Sequence, residues 1–580
     1  MRRHLTTLAT IWRLASPYFS SEDRWAGGLL LAAVVAIELS IVGITVLLNS
    51  WNNAFYNALQ DRNWNAFVYQ LGYFCVLAAA YIFLAVYQLY LNQWLQIRWR
   101  RWLTQQYLDH WLAGANHYRM QLLGDAADNP DQRISEDIAS FIAATLTIGL
   151  QLLNSCVTLF SFMIILWGLS AAAPLHLFGA KLDIPGYLLW AALAYAVVGT
   201  ALTHLIGRPL IALNFQQQRY EADFRFNMVR VRENSEQIAL LTGERAERDR
   251  LLLRFGNVVA NWMAIMTRQK KLTFFTAGYS QASVVFPYIM VSPAYFAGVI
   301  QLGGLMQTAN AFARVQDALS VFVSLYRSLA EWRAVVERLS GFDQAIANAR
   351  AVAVTPPVIE IAPSDGAAVT LKDLAVRLPN GTPLVTAGDL IIRAGDKVLV
   401  SGPSGAGKST LFRALAGIWP FGSGKVTVPK GSTVMMLPQR PYFPIAPLAE
   451  AIAYPAEPGT YDSARVAELI TAVGLPAMAP RIEEEAHWNR MLSLGEQQRL
   501  GLARAILLAP DYLFLDEATA SLDEPAEAAL YKLLEQRLPH TAVISIGHRS
   551  TLAAFHRRRL SFNREGDHMG LRESSLAAAE

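Results

Sequence analysis

The sequence predicts a chain in two parts, an all-α membrane domain of six spanning helices followed by a soluble α/β domain. Of the 580 residues, 53% are hydrophobic and only 17% are charged, which is more apolar than a soluble protein of this length needs. Long apolar runs come first, and short apolar runs typical of strands alternate with helical patterns afterwards. The predicted boundaries are 1–345 for the membrane domain, 346–365 for a linker and 366–580 for the soluble domain.

Five stretches are long and apolar enough to cross a bilayer, since a helix needs about 20 mostly apolar residues to span the hydrocarbon core. A sixth, 292–325, is interrupted by Arg314 and Asp317, which can pair at i and i+3 on one helix face. The sequence therefore predicts six spans. The five clear stretches are 26–48, 68–91, 143–168, 184–206 and 272–291.

The connections between the spans differ in charge, and this difference predicts the orientation. Arginines and lysines cluster between the second and third spans and between the fourth and fifth, whereas the other connections carry almost none. Because positive charge marks cytoplasmic loops, we predict that both termini are cytoplasmic and that helices extend beyond the membrane at the two basic connections. The formal net charge of +4 reflects this asymmetry, so membrane lipid is the expected partner and nucleic acid is not.

One carboxylate falls near the middle of the first predicted span. An ionised Glu38 facing lipid would cost about 3 kcal/mol or more, so we expect it to face the bundle interior or water. It either lines a solute pathway in a central cavity or makes a structural contact between helices. Both interpretations stay open on the sequence alone.

A phosphate-loop motif lies near the start of the soluble domain. The stretch VLVSGPSGAGKST, 398–410, is an apolar strand that runs into the pattern G-x-x-x-x-G-K-S, in the strand-then-helix context that the motif requires. Glycines let backbone N–H groups turn toward phosphates, Lys408 reaches the β- and γ-phosphate oxygens, and Ser409 is placed to bind Mg²⁺. The predicted nucleotide-binding residues are Gly402, Pro403, Ser404, Gly405, Ala406, Gly407, Lys408, Ser409 and Thr410.

Three further loops carry side chains suited to hydrolysing a nucleotide. Asp516 and Glu517 end the buried strand in DYLFLDEATASLD, 511–523. An acid at a strand end beside a phosphate loop typically holds Mg²⁺, a role we assign to Asp516, and Glu517 is then the general base for the attacking water. Gln439 follows one strand and is placed to contact Mg²⁺ and the water. His548 ends another strand and is placed to contact the γ-phosphate, although either residue alone would more often lie at the surface.

The stretch LSLGEQQRLGLARA, 492–505, has the character of a second anion site, because Ser493 and Gly495 stand at the start of a helix. Taken in order, the phosphate loop, the glutamine loop, LSLGEQQ, LFLDEATASLD and the final histidine resemble the ATP-binding-cassette domain over about residues 366–560. LSLGEQQ itself resembles the signature of that superfamily. The resemblance implies that ATP and Mg²⁺ are bound and that the chain is an ATPase.

The resemblance also implies a nucleotide site shared between two chains. In this family two cassettes associate head to tail, and the signature of one closes over the ATP on the phosphate loop of the other. A homodimer with twelve spans is therefore expected, with a heterodimer as the alternative. Many cassettes stack an aromatic ring on adenine, whereas this sequence offers Leu378. The resemblance makes Glu517 the catalytic glutamate and His548 the switch histidine, and it adds Ser493, Gly495, Glu496 and the D-loop residue Asp523 to the nucleotide-binding residues.

Two charged stretches of the membrane domain, 127–138 and 220–247, carry a narrower resemblance. They are similar to the membrane domain shared by bacterial SbmA/BacA-like peptide transporters, their ATP-driven relatives and the peroxisomal fatty acyl transporters. This implies an exporter-type half-transporter of the bacterial inner membrane. A solvated helix with i,i+4 pairs is the alternative explanation for any one residue. The residues expected to couple the cassette to the spans are Asp131, Gln132, Arg133, Glu136, Glu221 and Arg225.

The resemblance implies transport by alternating access, in which ATP draws the cassettes together and hydrolysis resets them. The bacterial relatives imply import of bulky hydrophilic solutes such as cobalamin, bleomycin and antimicrobial peptides. Export, or transport of lipid- or acyl-CoA-like cargo, is the alternative, although the first five predicted spans contain no lysine or arginine to hold a CoA group. A membrane-anchored ATPase that regulates and transports nothing is the rival from another class.

Overall fold

The chain separates into two compact units in the computed structural model. The membrane unit contains Met1–Gln106 and Asp131–Ser340, and the cassette unit contains Tyr107–Pro130 and Gly341–Glu580. The cassette unit therefore includes a short segment that the sequence analysis placed in the membrane domain. The structure describes residues 2–124, 129–173, 175–177, 180–182 and 184–574, so positions 127–128 of the predicted coupling stretch and 575–580 of the predicted soluble domain lie outside the described residues.

Helices dominate the first part of the chain. A short antiparallel hairpin, β1 (Leu175–Leu177) and β2 (Ala180–Leu182), interrupts them. The helices are α1 (Arg2–Ala15), α2 (Arg24–Gln60), α3 (Trp64–Leu112), α4 (Asn116–Leu122), α5 (Pro130–Gln132), α6 (Ile138–Ala172), α7 (Tyr187–Glu233), α8 (Ser235–Leu240), α9 (Glu244–Phe296) and α10 (Leu302–Val352).

Four predicted spans lie in helical segments that are long and apolar enough to cross a membrane, as judged on the described residues. The other two, 272–291 and 292–325, lie in α9 and α10 and stay predictions. α9 continues to Phe296, so the turn before α10 falls inside the predicted sixth span. Gly298, with a φ of +74°, permits this turn, which the apolar composition alone does not reveal. The four segments are Arg24–Gln60, Trp64–Leu122, Pro130–Ala172 and Tyr187–Glu233.

Reciprocal hydrogen bonds hold α7 against α9. The Tyr195 hydroxyl donates to the Tyr279 carbonyl oxygen at 2.7 Å, and the Tyr279 hydroxyl donates to the Tyr195 carbonyl oxygen at 2.9 Å. The two rings stack with centroids 4.5 Å apart. Gly199 makes room for this contact, because a Cβ there would lie 2.1 Å from the Tyr279 ring. Both hydroxyls are thus satisfied within the protein, as a low-dielectric environment requires.

A mixed sheet forms the centre of the cassette unit. A separate two-residue pair, β10 (Ala446–Pro447) with β11 (Glu485–Ala486), lies outside it. The strands of the sheet are β3 (Glu360–Ser364), β4 (Ala368–Arg377), β5 (Pro383–Ala387), β6 (Leu390–Arg393), β7 (Lys397–Ser401), β8 (Gly422–Pro429), β9 (Val434–Leu437), β12 (Tyr512–Asp516), β13 (Ala542–Ile546), β14 (Arg558–Glu565) and β15 (His568–Ser574).

The strand order is β3-β8-β4-β5-β15-β14-β7-β13-β12-β9, with β6 paired to β4. The edge strand β3 falls within the predicted linker 346–365, and α10 extends into it as far as Val352. Pro363 obscures this strand in the sequence, although proline is tolerated in an edge strand. The helices of this unit after α10 are α11 (Lys408–Leu415), α12 (Leu448–Ala453), α13 (Ser463–Ala472), α14 (Trp488–Met491), α15 (Leu494–Leu508) and α16 (Glu524–Arg537).

Four neighbouring strands, β7, β13, β12 and β9, run parallel. Their alternate side chains enter two hydrophobic clusters: Leu513 and Leu515 join one, and Phe514 joins the other. This burial on both faces explains why the strands appear in the sequence as continuous apolar runs. Because parallel strands point their carboxyl ends in one direction, the loops that follow them meet at a single edge.

The segment 107–130 packs within the cassette unit. Leu122 of α4 contacts the hydrophobic cluster around Phe412. The Arg119 guanidinium donates to the carbonyl oxygen of Gly417 at 3.4 Å. At the beginning of the segment, the ring of Tyr107 stacks on Phe342 with centroids 5.7 Å apart. A piece of chain that precedes most of the spans therefore completes the core of the soluble part.

We expect Trp488→Ala to destabilise the cassette unit by about 3–5 kcal/mol, because a large buried ring is lost. Trp488 is fully buried, its Nε1 donates to the Ala446 carbonyl oxygen at 2.9 Å, and the Arg481 guanidinium lies 5.4 Å from its ring centroid. Thermal unfolding of the purified chain, followed by circular dichroism, measures the change. Met491→Ala is the control on the same helix, because Met491 is 54% exposed. Equal melting of the two variants would contradict the prediction.

Candidate functional site

The loop between β7 and α11 has the geometry of a phosphate cradle. Gly405 and Gly407 have φ of +76° and +88°, which residues with a Cβ rarely adopt. A Cβ on Gly402 would lie 2.6 Å from Phe562, and one on Gly407 would lie 2.8 Å from Val385. Glycine is therefore required at these positions, and the N-terminus of α11 follows directly, where its free N–H groups favour an anion.

The Lys408 side chain folds back over this loop. Its Nζ donates to the carbonyl oxygens of Gly402 and Pro403, both at 2.9 Å. Burial lowers the pKa of Lys408, while the carboxylates of Glu517 and Asp516 act in the opposite direction. The ammonium group is therefore already inside the cradle, where phosphate oxygens can replace the two carbonyl acceptors.

Ser409 and Asp516 meet at the edge of the cradle. The Ser409 hydroxyl donates to Asp516 Oδ1 at 2.9 Å. Burial raises the pKa of Asp516, the hydrogen bond from Ser409 lowers it, and nearby Glu517 raises it. Gln439 lines the same cavity. A hydroxyl, a carboxylate and an amide oxygen are the hard ligands that Mg²⁺ prefers, so the residues present fit the predicted metal site.

Glu517 has a left-handed backbone and contacts His548. Its φ is +52°, which is costly for a residue with a side chain. Its N–H donates to the Ile546 carbonyl oxygen at 3.2 Å, which fixes it to the end of β13. His548 Nε2 lies 3.2 Å from Glu517 Oε1. The pairing of β12 with β13 therefore positions the predicted general base and the predicted switch histidine together.

A cavity of about 610 Å³, a volume within the range of small-ligand sites, lies between the phosphate loop, Gln439 and the two acids at the end of β12, and its described lining does not include His548. Leu378, where the sequence predicts contact with the base, lines it beside Leu384. The residues from Ser404 to Thr410, Gln439, Asp516 and Glu517 line it too, so these predicted residues come together. The described lining does not include Ser493 or Gly495.

Ser493 begins α15 with a capping box. Its Oγ accepts a hydrogen bond from the Glu496 N–H at 3.4 Å, and Glu496 Oε2 accepts from the N–H and the Oγ of Ser493, both at 2.8 Å. A Cβ on Gly495 would lie 3.4 Å from the Ser521 carbonyl oxygen, so the N-terminus of α15 lies beside the loop before α16. Asp523 caps α16 in the same way, accepting an N–H of its first turn. The signature residues thus form a helix N-terminus outside the cavity of their own chain.

Comparison with known proteins decides the family. A family model described as ABC transporter transmembrane region 2 matches residues 14–296, and one described as ABC transporter matches residues 386–520. An ABC transporter ATP-binding protein of Haemophilus influenzae is 37% identical over 96% of this chain and 92% of the relative. The chain belongs to the ABC transporters. The inner membrane ABC transporter ATP-binding protein YddA of Escherichia coli is 34% identical, over 92% of this chain and 94% of the relative.

More distant ABC transporters match as well. The human lysosomal cobalamin transporter ABCD4 is 27% identical over 80% of this chain and 79% of the relative. The structure of a bacterial Atm1-family ABC exporter with ATP bound superposes with a TM-score of 0.69 at 17% identity, over 94% of this chain and 96% of the other. This confirms the predicted fold class, a helical membrane domain followed by an ABC ATPase domain. The chain is an ABC half-transporter whose ATPase activity is coupled to transport.

The sequence analysis missed Gln498 in the signature of this ABC transporter. Gln498 is 1% exposed. Its Nε2 donates to the Gln439 carbonyl oxygen at 3.0 Å and lies 3.5 Å from the Glu517 carbonyl oxygen, and its Oε1 accepts the Ser521 N–H at 3.0 Å. One buried amide thus joins three loops of the ATPase site. Its only signal in the sequence was its place in the quoted motif LSLGEQQ.

Arg549, the residue after His548, was also missed. Its Nη1 donates to the Leu522 carbonyl oxygen at 2.6 Å, and its Nη2 donates to the Ala520 carbonyl oxygen at 3.3 Å. Both carbonyls belong to the D-loop that leads into Asp523. The residue that holds the D-loop is therefore the neighbour in the chain of the predicted switch histidine, His548.

Glu527 of α16 contacts Arg549 and helps to fix its position. It is 2% exposed, and its two carboxylate oxygens have different partners. Oε1 accepts from the Thr519 hydroxyl at 2.6 Å, and Oε2 lies 3.5 Å from Arg549 Nη1. A glutamate in the first turn of a helix resembles an ordinary solvated residue in the sequence, which explains why it was not singled out.

The membrane unit of the ABC transporter contains a buried polar pair. Glu38 of α2 is 7% exposed and accepts a hydrogen bond from Asn154 Nδ2 of α6 at 2.5 Å. Asn154 Oδ1 in turn lies 3.4 Å from the Thr158 hydroxyl. Glu38 therefore points at a neighbouring helix, and its partner was not identified from the sequence.

The predicted coupling residues differ in their surroundings. Arg133 is buried and pairs with Asp137 in a π-helical turn, Arg133–Asp137, between α5 and α6. Arg338 of α10 donates to both oxygens of Asp137, at 2.9 and 2.6 Å. Asp137, missed in the sequence, thus ties α6 to α10. The exposed members are Asp131, Gln132, Glu136, Glu221 and Arg225, of which Gln132 donates to Glu136 at 3.2 Å and Glu221 accepts from Gln217 at 2.9 Å.

We expect Arg549→Ala to lower kcat for ATP hydrolysis about tenfold with little change in KM, because the D-loop is released while the phosphate cradle is untouched. Arg549→Lys should recover part of the rate, since a lysine can still donate to one carbonyl. Steady-state ATP turnover by the purified protein measures both constants. Arg564→Ala, at an exposed position of β14, is the control and should match wild type. A rise in KM with unchanged kcat would contradict the assignment.

Proposed function

We propose that two copies of this chain form the working transporter, with each ATP bound between the phosphate loop of one copy and Ser493 and Gly495 of the other. The proposal rests on one observation. The phosphate-loop cavity is lined by Lys408, Ser409, Gln439, Asp516 and Glu517, whereas the signature forms a helix N-terminus elsewhere on the same chain. A second copy in head-to-tail arrangement supplies the missing N-terminus, and its positive end faces the γ-phosphate.

Within this site each residue has a defined task. Backbone N–H groups of the cradle and the Lys408 ammonium hold the β- and γ-phosphates, and Leu378 contacts the base. Glu517 orients the water and accepts its proton, and His548, 3.2 Å away, holds that carboxylate and contacts the γ-phosphate. Ser409, Asp516 and Gln439 would hold Mg²⁺, which would neutralise charge on the phosphate oxygens.

Coupling in this proposal begins at the segment 107–130 of the cassette unit. Arg119 and Leu122 contact the cassette beside the helix that follows the phosphate loop, so closure of the cassettes displaces this segment. The driving free energy is the tighter binding of ATP to the closed dimer than to the open one. The exposed and buried residues proposed to carry the motion onward are Asp131, Gln132, Arg133, Glu136, Glu221 and Arg225.

The cargo we propose is a bulky hydrophilic solute, such as cobalamin, bleomycin or an antimicrobial peptide, moved into a bacterial cell across the inner membrane. The similarity to a transporter named for cobalamin supports this class, as does the resemblance to SbmA/BacA-like transporters. The Glu38 and Asn154 pair offers polar groups within the spans. Both termini and the cassette are then cytoplasmic, in agreement with the charge of the loops.

Uptake into proteoliposomes tests the transport proposal. We expect ATP-dependent accumulation of labelled cobalamin by the wild-type protein, reconstituted with its cassettes facing the added ATP and cobalamin on the opposite face. Glu517→Gln should lower hydrolysis by a factor on the order of 100 to 1,000, because the general base is lost, and should abolish accumulation. Glu524→Gln is the control, since Glu524 is exposed.

The outcomes separate the alternatives. Accumulation that persists in Glu517→Gln would contradict ATP-driven transport. Movement toward the ATP-free face, in a parallel assay with the cobalamin on the same face as the ATP, would reverse the direction and favour an exporter. Normal ATP turnover without movement of cobalamin, bleomycin or peptide in either direction would favour the acyl cargo or the regulatory ATPase.

Complementation between two inactive variants tests the shared site. Lys408→Ala removes the cradle cation and Ser493→Trp blocks the signature, so each variant alone should lose ATP turnover by about 100-fold or more. A mixed dimer contains one site built from the intact halves of both chains. Co-expression at equal amounts should therefore restore about a quarter of wild-type activity, since half of the dimers regain one of two sites. If the mixture is as inactive as its components, each site belongs to one chain and the dimer proposal fails.

A further inference from the structure

A polar cavity lies between α7 and α9 in the membrane unit, away from the ATP site. Its volume is about 220 Å³. Three residues of α7 and two of α9 line it, and all five carry hydrogen-bonding groups. They are Arg219, Tyr220, Asp223, Arg254 and Asn257.

Contacts on either side of the cavity fix the spacing of the two helices. On one side, Asn261 Nδ2 donates to Gln217 Oε1 and to the Leu213 carbonyl oxygen, both at 2.9 Å. Gln217 and Asn261 are buried. On the other side, the rings of Phe224 and Phe255 lie 5.3 Å apart. The walls of the cavity are therefore held in place by neighbours that do not take part in its lining.

The charges of the lining are unbalanced. Arg219 and Arg254 come from different helices and face one carboxylate, Asp223. In the part of the chain that the structure describes, none of these three side chains has an ion pair or a hydrogen bond. Two guanidinium groups that converge on one space, with a phenol and an amide beside them, form a recognition set for a carboxylate or a phosphate.

The depth of the cavity indicates where its occupant comes from. α7 is continuous through Glu233 and α9 begins at Glu244, so both helices extend well beyond the predicted spans. Arg219 lies 13 residues after the predicted span end at 206, about 20 Å along a helix, and Arg254 lies about 27 Å before the span that begins at 272. These lengths exceed a Debye length of about 8 Å and the reach of a lipid headgroup. The occupant must arrive from the aqueous phase.

We propose that this cavity binds the anionic group, carboxylate or phosphate, of a water-soluble solute. The two arginines bind the anion, Tyr220 and Asn257 donate to its remaining oxygens, and Asp223 favours a solute with an amine or hydroxyl near the anion. The volume is below the roughly 300 Å³ at which pockets begin to enclose a whole drug-sized ligand. The cavity therefore holds one group of a larger solute. We further infer that this solute is the transported cargo, and that step alone rests on the proposed function.

Binding to the full-length protein in phosphatidylcholine nanodiscs tests the site. The cassettes are first saturated with ATP and Mg²⁺ in the Glu517→Gln background, so that the phosphate loop cannot bind the probes. Succinate and glycerol 3-phosphate are then titrated by calorimetry. We expect binding of at least one probe, weakened tenfold or more in the double variant Arg219→Gln/Arg254→Gln. The matched control, Arg245→Gln/Arg248→Gln, removes the same charge from two α9 positions that are exposed, as Arg219 and Arg254 are, but that do not line the cavity, and it should bind as the parent does.

Each other outcome overturns part of the inference. No binding of either probe, or equal binding by the double variant and its control, would show that the cavity is not an anion site. Loss of binding when phosphatidylglycerol replaces phosphatidylcholine would identify a lipid headgroup as the occupant and contradict the aqueous source. Circular dichroism melting checks that the double variant is folded. If the probes bind but no solute moves in proteoliposomes, the site stands while the proposed transport function fails.

Discussion

The parallel pairing of β7, β13, β12 and β9 is the constraint on which the ATP site depends. Each strand ends in a different functional loop, and the pairing brings all four loops to one edge of the sheet. Buried amide and ionic contacts then fix the loops relative to one another. Gln498 joins the Gln439 loop, the end of β12 and the D-loop, and Arg549, next to His548 at the end of β13, contacts the D-loop. The strand order thus gathers the loops of the site at one edge, and a few polar side chains then fix their relative positions.

In the membrane unit, polar contacts fix the positions of helices relative to one another, as those of the cassette unit fix its loops. Hydrocarbon does not drive helices together as water does, so interhelical hydrogen bonds contribute specificity. Tyr195 with Tyr279 holds α7 to α9 within the predicted spans, while Gln217 with Asn261 holds the same two helices, and Asp137 with Arg338 holds α6 to α10, outside the predicted spans. The α7–α9 pair is held at two points, so one helix resists sliding along the other, which favours movement of the pair as a rigid body.

The sequence predicted much of this because its motifs carry their own chemistry. The glycines and Lys408 of the phosphate loop, and the acids after a buried strand, need only local context to be recognised, and the structure places them in one cavity. Long-range pairs could not be predicted from one sequence. Residues far apart in the chain form the pairs Asp137 with Arg338 and Glu38 with Asn154. The periodicity of hydrophobic residues carries no information about such long-range contacts. The edge strand β3 was missed because Pro363 and small residues weaken the strand pattern.

The segment 107–130 has a consequence for biosynthesis. It is translated before every strand of the cassette sheet, yet it covers apolar surface of that sheet. The cassette unit therefore completes its core only when that segment meets strands that are translated much later. Folding of the cassette unit is in this way made dependent on a piece of chain that is translated among the candidate membrane spans.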